Sequence, residues 1–255
     1  LSLDEAYLDI TKLPIGFNSA TEVAEKIRQD IFEATNLTAS AGVSFNKFLA
    51  KMASDVNKPD GIFVLTPKKA QDFLCKLEIR KFYGIGKVTA YKFQKMGILY
   101  GSDLLRLSFS YLEQHFGKSA KSYYNLARGI DNRLVKVHRE RKSIGAERTF
   151  SSDIDNLEDL LPHLTFIVKT VAERCQKIGK KGRTITVKIK YSDFTQITRG
   201  VTTDDYKFSE NKILSQTKKL LSNIDDFGRG VRLIGVTISN LENGKKNTKQ
   251  LKLEF

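Results

Sequence analysis

Arg183-Thr184-Ile185-Thr186-Val187-Lys188-Ile189-Lys190-Tyr191 alternates apolar and polar residues from Thr184 onward. Successive side chains on a strand point to opposite faces. Ile185, Val187, Ile189 and Tyr191 therefore form one buried stripe, and Thr184, Thr186, Lys188 and Lys190 line the other face. The flanking sequence extends the pattern in both directions. Upstream, Ser143 to Phe150 reads as a strand. A helix from about Asn156 to Ile178 then carries Leu160, Leu164, Ile167, Val171, Cys175 and Ile178 on one stripe. Downstream come a strand from about Thr195 to Thr202, a helix from Ser209 to Leu221, and a strand from Val231 to Leu241 with Ile234, Val236 and Ile238 on one face. The order is β-α-β-β-α-β, the ferredoxin-like pattern. Two helices cover one sheet face. The other face suits a duplex backbone, with Arg148, Lys188, Lys190 and Arg199 as the cations expected to hold phosphate. An ordinary solvated face is the plainer alternative.

Ahead of this domain (143–242) lies a basic linker, 132–142, whose Arg139, Arg141 and Lys142 are expected to run along a phosphate backbone. Residues 67–131 read as helices only. Thr66-Pro67 is an N-cap followed by N1. Ser110-x-x-Glu113 caps a later helix, Gly117 ends it, and a further helix closes at Gly129. Tyr83-Gly84-Ile85-Gly86-Lys87 joins two helices. Its glycines allow a tight turn whose outward N–H groups form an anion nest, and the next helix N-terminus adds its dipole. The stretch resembles a helix-hairpin-helix element, which grips DNA phosphates without reading sequence. Gly84, Ile85, Gly86 and Lys87 are the expected contact residues.

Residues 1–66 interleave strands and helices. Leu3 to Thr11 reads as a strand, and Ser19-x-x-Glu22 as a capping box. Val23, Ile27 and Ile31 mark a helix to about Thr35. A strand from Thr38 to Ser44, a helix from Asn46 to Asp55, a turn at Lys58-Pro59-Asp60-Gly61 and a strand from Ile62 to Leu65 follow. This predicts a mixed α/β sheet, and the whole chain is α+β and multidomain.

The 255 residues carry a net charge of +14, distributed unevenly: −3 over 1–66 and +7 over 67–131. An acidic first segment before a basic remainder fits carboxylate-held cations beside a surface for polyanions. No apolar run approaches the roughly 20 residues of a membrane span, and no secretory or transit segment is visible. Cys75 and Cys175 lack metal-ligand spacing and read as thiols of a reducing compartment. His115, His138 and His163 form no zinc or triad pattern. The end of the chain, 243–255, reads as a flexible tail. Gln250-Leu251-Lys252-Leu253-Glu254-Phe255, apolar at alternate positions, suits an extended peptide docking in a partner's groove.

Near the start stands Ser2-Leu3-Asp4-Glu5-Ala6-Tyr7-Leu8-Asp9. Mg²⁺ takes carboxylate oxygens together with phosphates and waters, and two such ions can clamp a phosphoryl displacement. Side-chain alternation would point Asp4 and Glu5 in opposite directions, so they share a site only at a turn or bulge. A solvated acidic turn remains the alternative on these residues alone.

Together these stretches resemble the Y-family DNA polymerases. Ser2 to Asp9 matches the family's S-x-D-E-A-Y-L-D motif. Gly42 to Asp55, continuing through Lys58-Pro59-Asp60-Gly61, is similar to its second long palm motif. Lys142 to Phe150 resembles the entry to its little-finger domain. The resemblance implies a partial palm over 1–66, a helical thumb over 67–131 and a little finger over 143–242. It implies template-directed, error-prone synthesis past damaged bases by a cytoplasmic, nucleoid-associated, monomeric bacterial enzyme. Asp4 would be a ligand of catalytic Mg²⁺, Glu5 its neighbour at the metal site, and Lys58 a contact of the incoming dNTP. The partners implied are primer-template DNA, dNTP and the β-subunit sliding clamp, the last taken by Gln250, Leu251, Leu253 and Phe255. Members of the family also carry a D-x-D-x-F-[FY] segment with another metal-binding Asp, and a fingers domain. Neither occurs here, so the chain is expected to be part of a longer polymerase and inactive alone. Two readings compete with this one. The first is a non-catalytic DNA- and clamp-binding protein. The second is a glycosylase or nuclease using the hairpin, but no catalytic Lys or Asp follows the hairpin.

Overall fold

The computed structural model describes residues 2–138, 140–204, 209–224 and 226–242. The chain forms two compact units, Leu1–Val137 and His138–Phe255.

The first unit begins with helix α1 (Ala20–Thr35), strand β1 (Ala41–Ser44), helix α2 (Lys47–Ser54) and strand β2 (Ile62–Leu65). The capping box forms in a shifted version. Ser19 Oγ accepts from Glu22 N at 3.1 Å, while Glu22 reaches back to Asn18 N at 2.9 Å. Asn46 caps α2 by accepting from Leu49 N at 2.9 Å. β1 and β2 pair in parallel, Ala41 with Ile62 through Ser44 with Leu65, and α2 is their crossover. Gly42 allows α2 to lie directly on β1: a Cβ there would sit 2.0 Å from Ala50 O and 2.3 Å from Ser54 N.

Helices α3 (Pro67–Lys76), α4 (Lys87–Lys95), α5 (Gly101–Arg106), α6 (Phe109–Phe116) and α7 (Ala120–Ala127) follow. Phe48, Leu49, Met52 and Leu65 share a single core with Leu74, Phe82, Phe93, Leu104, Leu112 and Tyr123. The core therefore runs through both 1–66 and 67–131, segments that the sequence reading separates.

Three expectations change here. Leu3 to Thr11 is not a strand, because among the described residues no strand pairs with it to take its backbone N–H and C=O groups. The cap of α6 is Ser108, which accepts from Tyr111 N at 3.2 Å, and not Ser110. The element before the hairpin is a single 3₁₀ turn, Ile79–Lys81.

The second unit contains β3 (Ser143–Ile154), α8 (Leu157–Ile178), β4 (Gly182–Tyr191), β5 (Gln196–Thr202), α9 (Glu210–Leu221) and β6 (Val231–Leu241). The sheet order is β3-β6-β4-β5, antiparallel throughout. Each βαβ half is split by a strand of the other: β6 lies between β3 and β4, and β4 lies between β5 and β6. Ile185, Val187, Ile189 and Tyr191 are buried with Leu160, Leu164, Ile167, Val171 and Ile213. The alternating stripe thus faces the helices, because apolar surface leaves water where two layers meet.

Candidate active site and nucleic-acid surfaces

Asp4 lies in a turn, closed weakly by Glu5 N donating to Ser2 O at 3.4 Å. The turn meets the geometric condition for two adjacent carboxylates to share a site. The Ser2 hydroxyl and a backbone amide hold the Asp4 carboxyl below the usual range, and the charges of Lys58 and Lys51 add to this. Glu5 is ion-paired at 3.3 Å with Lys51 of α2. Lys51 also contacts Asp55 at 3.2 Å, and Asp55 takes Lys58 at 2.5 Å. Burial lowers the Lys51 pKa, but the hydrogen bonds Lys51 donates to Asp55 and Glu5, with their charges, outweigh it and leave the pKa raised. Burial likewise opposes ionisation of Asp55, and the two lysines more than offset it. The result is a continuous relay, Glu5–Lys51–Asp55–Lys58, beside Asp4.

The sequence reading assigned no role to Lys51 or Asp55. Their signal was the i, i+4 spacing of Lys51 and Asp55 and the i, i+3 spacing of Asp55 and Lys58. Tyr7 lies close behind. Burial, then the neighbouring Tyr83, push its hydroxyl up to about 12.

As metal ligands, Asp4 and Glu5 supply the hard carboxylate oxygens that Mg²⁺ prefers. Among the described residues they are not joined by a third acidic, His or Cys ligand. They fit part of a hard-cation site whose other ligands would be phosphate and water.

Gly84 adopts φ +97°, in the left-handed region that glycine enters without strain, and Gly86 caps α4 with open space at its Cα. Ile85 is buried in the core, whereas Gly84, Gly86, Lys87 and Val88 are exposed. Ile85 therefore anchors the turn, and Lys87 stands at the helix N-terminus. The start of the linker is strapped to α2. Asp131 accepts from Phe48 N at 3.1 Å and from Arg133 Nε at 2.6 Å, and Lys47 donates to Leu134 O at 2.7 Å. Arg141 and Lys142 are exposed, while Arg139 lies outside the described residues, as do Gln250, Leu251, Leu253 and Phe255.

On the sheet, register separates the four expected cations. Lys188 and Lys190 pair with Thr198 and Gln196 on the open face. Arg199 pairs with Val187, and Arg148 with Ile234, both buried against the helices. Arg148 and Arg199 therefore belong to the helix-covered side, exposed only because β3 and β5 are edge strands. Lys188 is ion-paired with Glu147. Of the four, Lys190 is the open-face cation without a carboxylate partner among the described residues, and it packs 4.7 Å from the Phe194 ring centroid. Among the described residues, no helix is long and apolar enough to cross a membrane.

A parallel βαβ unit, a carboxylate turn and a hairpin-bearing helical layer in the first unit, and a split βαβ sheet in the second, are consistent with the partial palm, helical thumb and little finger of a nucleotidyl-transfer enzyme acting on DNA. Family models agree: the impB/mucB/samB family over residues 1–55, the IMS family HHH motif over 67–98, and the impB/mucB/samB family C-terminal domain over 141–253. The chain belongs to the Y-family of DNA polymerases, which are DNA-directed DNA polymerases. It is 48% identical to DNA polymerase IV 2 of Agrobacterium fabrum over 96% of this chain and 69% of that one. It is 47% identical to DNA polymerase IV of Clostridioides difficile over 99% of this chain and 70% of that one. A solved Y-family DNA polymerase chimera superposes with a TM-score of 0.73 at 31% identity, over 86% of this chain and 63% of the chimera. The chain thus spans about two thirds of the length of these relatives.

Proposed function

We propose that this chain supplies the DNA grip and part of the catalytic centre of a translesion DNA polymerase. The observation carrying the reading is the relay Glu5–Lys51–Asp55–Lys58 beside the Asp4 turn. In nucleotidyl transfer the primer 3′ oxygen attacks the α-phosphorus of a dNTP, loses its proton, and pyrophosphate leaves. Asp4 and Glu5 would hold Mg²⁺, which supplies Lewis-acid stabilisation of the charge that builds on phosphate. Lys58, exposed at the turn after α2, exchanges Asp55 for the triphosphate of the incoming nucleotide. Lys51 keeps the Glu5 carboxylate turned toward the site. Residues 1–66 form part of the palm, 67–131 the thumb and 143–242 the little finger. Residues 132–142 join thumb to little finger along the DNA backbone, and 243–255 carry the clamp-binding tail. The setting is the bacterial cytoplasm at the nucleoid, with primer-template, dNTP and sliding clamp as partners. Primer extension by a relative carrying these 255 residues in place of its own matching segment, with and without Asp4→Asn, tests the catalytic assignment.

The DNA grip is tested separately. Duplex affinity of the 255-residue chain is expected to fall about 10³-fold or more between roughly 50 and 200 mM salt, because phosphate contacts release condensed counterions. Fluorescence anisotropy across a salt series measures this, and a flat profile counts against the basic surfaces. Deleting Gln250 to Phe255 is expected to abolish binding to the clamp, measured by surface plasmon resonance, with DNA affinity almost unchanged. Clamp binding retained by the truncated chain rejects the tail assignment.

A further inference from the structure

Glu147, Gly235, Lys188 and Thr198 form one row across four strands on the open sheet face. Gly235 has no side chain, and Glu147 and Lys188 reach over it to form their ion pair. A Cβ at 235 would lie 3.0 Å from Glu147 Cβ and 3.5 Å from Lys188 Cε. The rest of this face is built mainly of small and hydroxyl-bearing residues such as Ser143, Thr186, Thr237 and Gly200. Such a surface lets a phosphate backbone approach closely, yet a carboxylate stands in its middle.

The pair is poorly suited to holding the sheet together. Glu147 is 55% exposed and Lys188 29% exposed, and solvent screening leaves such pairs little net stability. The strands are already joined by continuous ladders. The charge arrangement acts instead on whatever docks against the face. A phosphate reaching Lys188 has to displace Glu147 and then remain beside it.

We propose that Glu147 acts as an electrostatic brake on the little-finger surface, masking Lys188 from DNA phosphate and weakening the grip so that the duplex can be released. This rests on the reading of the open face as a DNA surface. It assigns Glu147 an affinity-setting role and makes Lys188 a conditional contact.

The test uses the whole 255-residue chain and a fluorescein-labelled duplex of about 20 base pairs, a length able to cover the contacts of a small DNA-binding protein. Anisotropy is measured across a salt series for the unmodified chain, Glu147→Gln, Lys188→Gln and the double variant. Glu147→Gln is expected to tighten binding roughly threefold to tenfold at about 0.1 M salt. It should also steepen the slope of log K against log salt by about 0.9, the signature of one more neutralised phosphate. Lys188→Gln alone is expected to weaken binding less than it does in the Glu147→Gln background, where it removes the whole gain. Glu147 is exposed and Lys188 half-buried, and neither belongs to the buried core, so melting temperatures should change little.

Equal affinity and slope for Glu147→Gln and the unmodified chain would overturn the brake while leaving the DNA reading standing. So would Lys188→Gln weakening binding equally in both backgrounds, since Lys188 would then already hold phosphate. An unmodified chain with no affinity for duplex would overturn the DNA reading and the brake together.

Discussion

Asp4→Asn is expected to abolish nucleotide incorporation. The suitable host is a chimera in which these 255 residues replace the matching two thirds of one of the curated relatives, so that the measurement is made on a complete polymerase. Asn keeps the size of Asp and removes its charge, so the turn is preserved while the hard anionic ligand is lost. Asp4 is exposed and its carboxyl is already held below the usual range, chiefly by the Ser2 hydroxyl and a backbone amide. It is therefore fully ionised across the neutral pH range, and substitution removes a whole charge. The readout is single-nucleotide extension of a labelled primer with saturating dNTP and Mg²⁺. Full extension by the Asp4→Asn chimera would remove Asp4 from the catalytic centre.

Gly42→Ala is expected to destabilise the first unit by about 3 kcal/mol or more, at or beyond the upper end of the usual cost of overpacking. The added methyl would lie 2.0 Å from Ala50 O and 2.3 Å from Ser54 N, both backbone atoms of α2. Backbone cannot move aside by rotamer change, so α2 has to lift from β1. That helix carries Lys51 toward Glu5 and brings Phe48, Leu49 and Met52 to the core. Packing and the relay should therefore fail together. Chemical denaturation followed by far-ultraviolet circular dichroism should show the transition of residues 1–137 moving to lower denaturant while that of the second unit stays in place. Unchanged transitions would show that α2 and β1 are not in the contact described.

The sheet domain was largely legible in the sequence. A period of two at Ile185, Val187, Ile189 and Tyr191 and a helical period through Leu160, Leu164, Ile167 and Val171 are local signals, and burial followed them. The starts of α2 and α8, placed at Asn46 and at about Asn156, were legible for the same reason, and in the structure these two residues cap their own helices. The Leu3 strand misled because β-type residues show only that a segment can enter a sheet; entering one requires a neighbouring strand. At α6 the Ser110-x-x-Glu113 pattern pointed to Ser110, whereas the helix starts at Phe109, whose ring centroid lies 5.9 Å from that of Tyr124, and Ser108 caps it.

The candidate site divides in the same way. Asp4, Glu5 and Lys58 were identified by motif, but their connection through Lys51 and Asp55 crosses from the turn to α2 and onward to the loop after it. Arg148 and Arg199 are basic residues on strands, as Lys188 and Lys190 are, and composition treats all four alike.

The sequence by itself determined the order of elements and the buried stripes of the sheet domain, and it named residues whose chemistry suits phosphoryl transfer. All of these follow from periodicities and side-chain chemistry carried within a few residues. Tertiary structure alone decided which side chains meet. Strand register sends Arg148 and Arg199 to the helix side and sets Glu147 against Lys188 across Gly235. The seating of α2 on Gly42 brings Lys51 to Glu5. Such meetings depend on ladder pairing and close backbone approach between segments distant in the chain, and no local pattern encodes them.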